Sequence, residues 1–260
     1  MDKKSNPALL QKGEPSRVPL FLIHDAGGGI YNYYKLENIG RPVYTIYNPW
    51  FRNENKWEGG AMMFVEEYIK LIKSVVPKGD ILGWSLGGQL GIDIGRVLAQ
   101  NSRSRIRVVG VVMIDTLYPY WGPPKTVHAE FPVDLVLGNC PPDMKEEILR
   151  CTQWSKQDSL EWVDRNWKDK GEIEGIEAEE PPPAVLLYAT KYIPVEKSRN
   201  GAVAMTDYLR HAKGGWDLFP HQFISATWEL PAHHFGLFDK TIVKETSEKI
   251  RRACDLLAED

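Results

Sequence analysis

The stretch Ile81-Leu82-Gly83-Trp84-Ser85-Leu86-Gly87-Gly88 is an apolar run that breaks into a serine flanked by glycines. In the pattern G-x-S-x-G a strand turns sharply into a helix, so the serine is held in a strained backbone conformation with its hydroxyl exposed. Gly83 and Gly87 stand where a side chain would collide with the neighbouring strand or helix, and glycine lacks the Cβ that would clash. The pattern alone is common by chance, so its meaning depends on what surrounds it. Here a strand is predicted over Gly79 to Trp84. Downstream, Leu90, Ile94, Val97 and Leu98 recur at i, i+4, i+7 and i+8, the stripe of an amphipathic helix.

Upstream, Val18 to Ile23 is a short continuous apolar run, as expected for a strand buried on both faces of a parallel sheet. It runs into His24-Asp25-Ala26-Gly27-Gly28-Gly29, where three glycines let main-chain N–H groups approach a ligand, as in a phosphate cradle or half of an oxyanion hole. The spacing does not match the dinucleotide fingerprint, and no phosphate-loop lysine follows. A tight strand-to-helix turn is the plainer alternative. Pro42 to Tyr47 reads as the next strand, and Ala61 to Val76 as a helix closed by Pro77 and Gly79. Arg105 to Ile114 is rich in valine and isoleucine, the strongest buried-strand signal in the chain, and ends at Asp115.

Between Leu117 and about Pro183 the character changes. Prolines interrupt the first part, and two short helices are predicted, near Asp143 to Trp154 and Ser159 to Trp167. An acidic stretch, Glu172 to Glu180, and three prolines close the segment. A tryptophan-bearing helical insertion between strands reads as a lid over a pocket; the alternative is that its aromatic residues only fasten it to the core. The sheet resumes over Ala184 to Thr190 and Gln222 to Trp228, and a last helix begins near Thr241.

The whole chain has 260 residues, 43% of them hydrophobic and 26% charged, which suits one soluble α/β domain. With a formal net charge of −3 it lacks the basic surplus that tracks phosphates, so no nucleic-acid partner is expected. Cys140, Cys151 and Cys254 have neither disulfide nor zinc spacing and read as thiols of a reducing compartment, the cytoplasm. No run is long and apolar enough for a membrane span. Residues 1–17 are polar, carry two prolines and lack the apolar core of a secretory signal; they read as a tail or linker to a domain over 18–260, with the lid at about 117–183.

Strands alternating with helices imply a parallel sheet, whose ligands bind beyond the carboxyl ends of the strands. Ser85, Asp115, the triple-glycine loop and the pair His233-His234 all follow predicted strands and so converge on one edge. A serine hydroxyl needs a base to take its proton, and an imidazole base needs an acid to hold its tautomer. An oxyanion would be met by the N–H of Leu86 and by one from the Ala26 or Gly27 region. In many serine hydrolases of this architecture the acid follows the strand that here ends at Ala189-Thr190. No carboxylate stands there, Glu196 being the nearest, and Asp115 is the better candidate, with a turn or helix-capping role as its alternative. Among the other histidines, His24, His128, His211 and His221 are expected to be structural.

Taken together, Leu9-Leu10-Gln11, the run from Pro19 to Gly29, the elbow Gly83 to Gly88, Ile114-Asp115 and His234-Phe235 resemble the thioesterase family of polyketide and non-ribosomal peptide synthases, most of all the releasing domains of fungal iterative polyketide synthases. The resemblance covers nearly the whole chain and implies an α/β-hydrolase fold. It also implies a triad of Ser85, Asp115 and His234, with the serine accepting an acyl chain from the phosphopantetheine arm of an acyl carrier protein or polyketide synthase. Release follows by water, by an internal hydroxyl or by a carbon nucleophile. The glycine loop departs from the Pro-Asp-Gly-Ser-Gly type frequent in fungal releasing domains. Trp84, Leu117 and Trp154 are expected to line the acyl pocket, and no cofactor or metal is implied. The alternatives are an esterase or lactonase for a free small molecule, and a non-catalytic binding protein of the same fold.

Overall fold

In this computed structural model the described residues are 5–52, 60–77, 79–84, 88–118, 129–130, 137, 140–167, 181–194, 203–204, 210–219 and 221–259. In chain order the elements are β1 (Ala8–Gln11), β2 (Leu20–Ile23), β3 (Val43–Ile46), α1 (Gly60–Val75), β4 (Gly79–Trp84), α2 (Gln89–Gln100) and β5 (Ile106–Ile114). There follow β6 (Ala129–Glu130), α3 (Pro142–Trp167), β7 (Ala184–Ala189), β8 (Val203–Ala204), β9 (Ile224–Leu230) and α4 (Val243–Ala258). Short 3-10 turns cover Tyr31–Lys35, Arg210–Leu218 and His234–Gly236.

Seven strands form one sheet in the order β1-β3-β2-β4-β5-β7-β9, while β6 and β8 pair separately. Every pairing in the large sheet is parallel except that of β1 with β3. Both faces are covered, which explains why the strands read as unbroken apolar runs. In β2, Phe21 and Ile23 belong to the core under α1 and α2, and Leu20 and Leu22 to the core under α4. Within β5 the same period of two sends Val111 and Met113 to the first core, Val112 and Ile114 to the second. Burying a side chain of this size contributes about 1.5–3 kcal/mol, and the sheet does so on both sides.

Two sequence expectations are corrected. Part of the N-terminal tail is a strand: Ala8 pairs with Thr45 and Leu9 with Tyr44, and the Gln11 side chain fastens the end of this edge by donating to Glu37 O at 3.0 Å and accepting from Ile39 N–H at 2.9 Å. The two short helices of the insertion are one helix of 26 residues, α3. The polar run Ser155 to Asp158 interrupts the apolar stripe without blocking helical backbone, and Gln157 donates to Glu161 one turn on at 3.0 Å. Smaller shifts place the last sheet strand at Ile224–Leu230 and the last helix at Val243–Ala258. The acidic stretch and Glu196 lie outside the described residues.

Candidate active site

Parallel pairing of β2, β4, β5, β7 and β9 brings the ends of all five strands to one edge of the sheet. Strand β4 lies between β2 and β5, and its last residue, Trp84, pairs with Leu22. Ser85, Leu86 and Gly87 lie outside the described residues, as does the side chain of Trp84. Beyond them the chain resumes at Gly88, φ +38°, which caps α2. A Cβ there would come within 2.7 Å of Met113 Sδ, so glycine is required both by the left-handed backbone and by the close approach to β5.

Directly beyond β5, Asp115 turns the chain in the left-handed region, φ +45°, a conformation that strains a non-glycine residue by roughly 1–2 kcal/mol and that aspartate tolerates better than most. The residue is 2% exposed. Its Oδ1 accepts the N–H of Ala189 at 2.9 Å, and its Oδ2 accepts Nδ1–H of His234, also at 2.9 Å. Asp115 is therefore no simple turn residue: it ties the ends of two neighbouring strands to the loop that follows a third. Because Nδ1 is engaged by the acid, the imidazole keeps its Nε2 lone pair, and the ring is 22% exposed. That is the tautomer a general base needs.

The structure separates the competing histidines. His233 packs onto its own turn, its Nε2 lying 3.0 Å from where a Cβ of Gly236 would stand. His24 is buried, with Nδ1–H donating to Asp25 O at 2.7 Å and Nε2 accepting the Tyr68 hydroxyl of α1. Burial lowers its pKa to about 4, so it stays neutral and structural. His221 stacks obliquely on Phe219, His211 lies in the Arg210–Leu218 turn, and His128 falls outside the described residues.

The loop after β2 is built around Asp25. Its Oδ1 accepts Gly29 N–H at 3.1 Å, and the main-chain N–H of Gly27 is near enough to favour the charged carboxylate. Its main chain closes the turn, Gly28 N–H donating to Asp25 O at 2.8 Å. Burial raises the Asp25 pKa to about 6 against the opposing pull of the two glycine N–H groups and of nearby His234. Sequence reasoning assigned this carboxyl no role. The His-Asp-Ala-Gly-Gly-Gly run was visible, but the burial that perturbs Asp25 comes from elements distant in sequence.

Helix α3 lies across the same loop. Ile148 Cγ2 is 2.7 Å from where a Cβ of Gly27 would stand, Ser155 Oγ–H donates to Ala26 O at 3.1 Å, and Cys151 Sγ meets the Asn48 side chain at 3.9 Å. Trp154 packs against the α1–α2 core with the Arg150 guanidinium 5.4 Å from its ring centre. Leu117 follows Asp115 closely, and its carbonyl accepts from Gln89 Nε2 at 3.4 Å. Among the described residues no group of three or more histidine, cysteine, aspartate or glutamate side chains is arranged to hold a metal ion, and no helix is long and apolar enough to cross a membrane.

No protein-family model matches the sequence. The probable thioesterase gloN of Glarea lozoyensis is 33% identical over 274 residues, spanning 95% of this chain and 92% of that protein. Thioesterase frbD of Dothideomycetidae sp. is 34% identical over 255 residues, spanning 96% and 94%. Among solved structures, YbtT, a type II thioesterase from the yersiniabactin NRPS/PKS biosynthetic pathway, matches with a TM-score of 0.62 at 14% identity, over 96% of this chain and 98% of its own. At that identity the likeness is one of fold, the α/β-hydrolase fold.

Proposed function

Because the chain belongs to the family of fungal thioesterases represented by gloN and frbD, we propose that it is a serine thioesterase that takes a polyketide-like acyl chain from the phosphopantetheine thioester of an acyl carrier protein and releases it through an acyl-Ser85 intermediate. The observation that carries this reading is the hydrogen bond from His234 Nδ1–H to the buried carboxyl of Asp115, at the sheet edge where the G-x-S-x-G turn begins.

In the first half-reaction His234 Nε2 takes the Ser85 proton as Oγ adds to the thioester carbonyl, and Asp115 stabilises the imidazolium. The oxyanion is met by the N–H of Leu86 and an N–H of the glycine loop. Collapse breaks the C–S bond, and the imidazolium returns the proton to the departing thiol. In the second half-reaction water or an internal hydroxyl of the acyl chain gives its proton to His234 and adds to the ester carbonyl; as the C–O bond to Ser85 breaks, the imidazolium returns that proton to Oγ. An internal carbon nucleophile is the third route. The groups of the protein suffice for these steps without a resident cofactor. The segment of about 117–183, with α3 at its centre, serves as the lid of a hydrolase domain, and Trp84, Leu117 and Trp154 face the acyl chain. Its three free thiols suit a cytoplasmic protein of secondary metabolism.

The test compares one acyl group presented as an acyl-carrier-protein thioester, as a pantetheine thioester and as a simple oxoester. The proposal expects the largest kcat/KM with the carrier and the smallest with the oxoester. A preference for the free oxoester points instead to an esterase or lactonase. Binding of all three with no turnover points to a non-catalytic protein of this fold.

A further inference from the structure

The left-handed conformation of Asp115 has to be imposed from outside, because a non-glycine residue left to itself relaxes towards negative φ. The preceding peptide unit is fixed by β7: Asp115 N–H donates to Leu187 O at 2.6 Å. The units that follow are fixed by the turn Arg210–Leu218. Its Trp216 donates the indole Nε1–H to Thr116 O at 2.8 Å, and its Gly214 carbonyl accepts the N–H of Tyr118, also at 2.8 Å. The Asp115–Thr116 unit lies between these anchors. A planar peptide leaves only φ and ψ to adjust, so anchors on both sides set the direction in which the Asp115 side chain leaves the backbone.

The turn is shaped for this contact. Gly214 and Gly215 are both left-handed, φ +77° and +82°, and a Cβ on Gly214 would stand 2.9 Å from Thr116 O. Trp216 and Thr116 are both buried, so the indole satisfies the carbonyl in a place shielded from water. Around this bond the ring of Trp216 packs against Tyr118 and Phe219, with ring centres 5.4 and 5.3 Å away, within the core under α1 and α2. Any large apolar ring would serve that packing. The indole N–H adds a directed bond to the residue next to the acid.

We infer that the turn Arg210–Leu218, through Trp216, braces Asp115 in the orientation that meets His234, which makes Trp216 a positioning residue of the reaction. The inference rests on the catalytic reading above and deepens it: a segment between β8 and β9 to which neither the triad nor the lid assigns a role becomes the support of the acid. With the brace removed, Thr116 shifts, Asp115 relaxes from its strained turn and the carboxyl swings off Nδ1. A partial misplacement of this kind is expected to lower kcat by roughly 10-fold.

The test uses the full chain and a short acyl-pantetheine thioester, with rates taken at matched folded fraction. Trp216→Phe, which keeps a large ring and removes the donor, is expected to lower kcat by roughly 10-fold with KM within about twofold. In an Asp115→Asn background the same change is expected to cost less than about twofold, since Trp216 acts through the acid. Gly214→Ala, which sets a methyl group against Thr116 O and leaves the indole in place, is expected to show the same split, so the test does not depend on one variant. Phe219→Leu loosens the packing but not the bond, and is expected to leave kcat within about twofold. Without substrate, the low-field proton resonance of the His234 Nδ1–H bridge reports the same geometry and is expected to move upfield in Trp216→Phe. Equal losses in the two backgrounds, a loss in Phe219→Leu as large as in Trp216→Phe, or an unchanged kcat and resonance in Trp216→Phe overturns the inference and leaves the thioesterase reading standing. A wild type that turns over no thioester and is not acylated at Ser85 overturns the catalytic reading and this inference with it.

Discussion

Asp115 reaches His234 across the width of a strand: β7 separates the two strands that carry them, and the carboxyl that meets Nδ1 at 2.9 Å also accepts the N–H of Ala189 at the end of β7, at the same distance. The acid is thus bolted to the sheet on one oxygen and addresses the base with the other. Asp115→Asn keeps the shape but replaces an acceptor with an amide that can donate, which favours the wrong imidazole tautomer. Turnover is expected to fall by about 10³–10⁴-fold with unchanged circular dichroism. Steady-state kinetics on a pantetheine thioester, at matched folded fraction, checks it.

Asp25 and His24 titrate in the same window with opposite effects on stability. The Asp25 pKa is raised to about 6 from 3.8, so between those values the folded state holds the extra proton and stability falls as pH rises. His24 is lowered to about 4 from 6.5, so there the unfolded state holds the extra proton and stability falls as pH drops. The two slopes offset each other in the wild type. Asp25→Asn removes one of them, and the variant is expected to lose on the order of 2–3 kcal/mol more than wild type between pH 6.5 and 4, read from urea unfolding at several pH values. Parallel pH profiles for the two proteins contradict the desolvation of this pair.

Gly27 lies beneath α3 with no space for a methyl group: a Cβ there would stand 2.7 Å from Ile148 Cγ2 and 3.2 Å from Asp25 Oδ1. Gly27→Ala is expected to displace the helix and lower kcat by roughly 10-fold or more, the scale on which small misplacements act. The paired change Gly27→Ala with Ile148→Ala removes the obstacle and is expected to recover most of the loss, a coupling that a double-mutant cycle measures. Additive losses contradict the contact.

Arg41 is fully buried, its guanidinium donating to Asp255 Oδ1 at 2.6 Å and to Val18 O at 2.8 Å, so the segments that lead into β2 and β3 are bound to α4 by a charge. Asp255→Ala takes the carboxylate away from that charge. Loss of a buried partner typically destabilises by about 3–5 kcal/mol, and since the Asp255 side chain is 30% exposed a smaller loss of about 2 kcal/mol is expected here. Arg17, the other partner of Asp255, is 37% exposed, and Arg17→Ala is expected to shift stability by no more than about 0.5 kcal/mol. Denaturant midpoints of the two variants test the contrast.

Much of this architecture was legible in the sequence for physical reasons that can be named. Val108 to Ile114 could only be a strand buried on both faces, and Asp115 and His234 announced themselves by standing where such strands end. What stayed hidden depended on partners far away in sequence. Ala8–Gln11 is only four residues long and shows no alternation that marks a buried face, because an edge strand is held by backbone pairing and by the Gln11 amide rather than by burial. The unity of α3 was hidden because Ser155 to Asp158 breaks the apolar stripe, yet Ser155 is the residue that meets the glycine loop. Polar residues on a buried helical face look like an interruption until their partner is seen. The perturbed carboxyl of Asp25 was equally invisible, since its desolvation comes from the packed fold.

The central claim is that an alcohol at residue 85, activated by His234 and Asp115, carries the acyl chain. Its most direct test is rapid-quench intact-mass spectrometry after mixing with an acyl-pantetheine thioester, with the adduct mapped by peptide analysis. The account predicts a transient mass increase equal to the acyl group, located on Ser85 and absent from Ser85→Ala, forming orders of magnitude more slowly in His234→Ala. Turnover by Ser85→Ala at the wild-type rate, or an adduct on another residue, would contradict it.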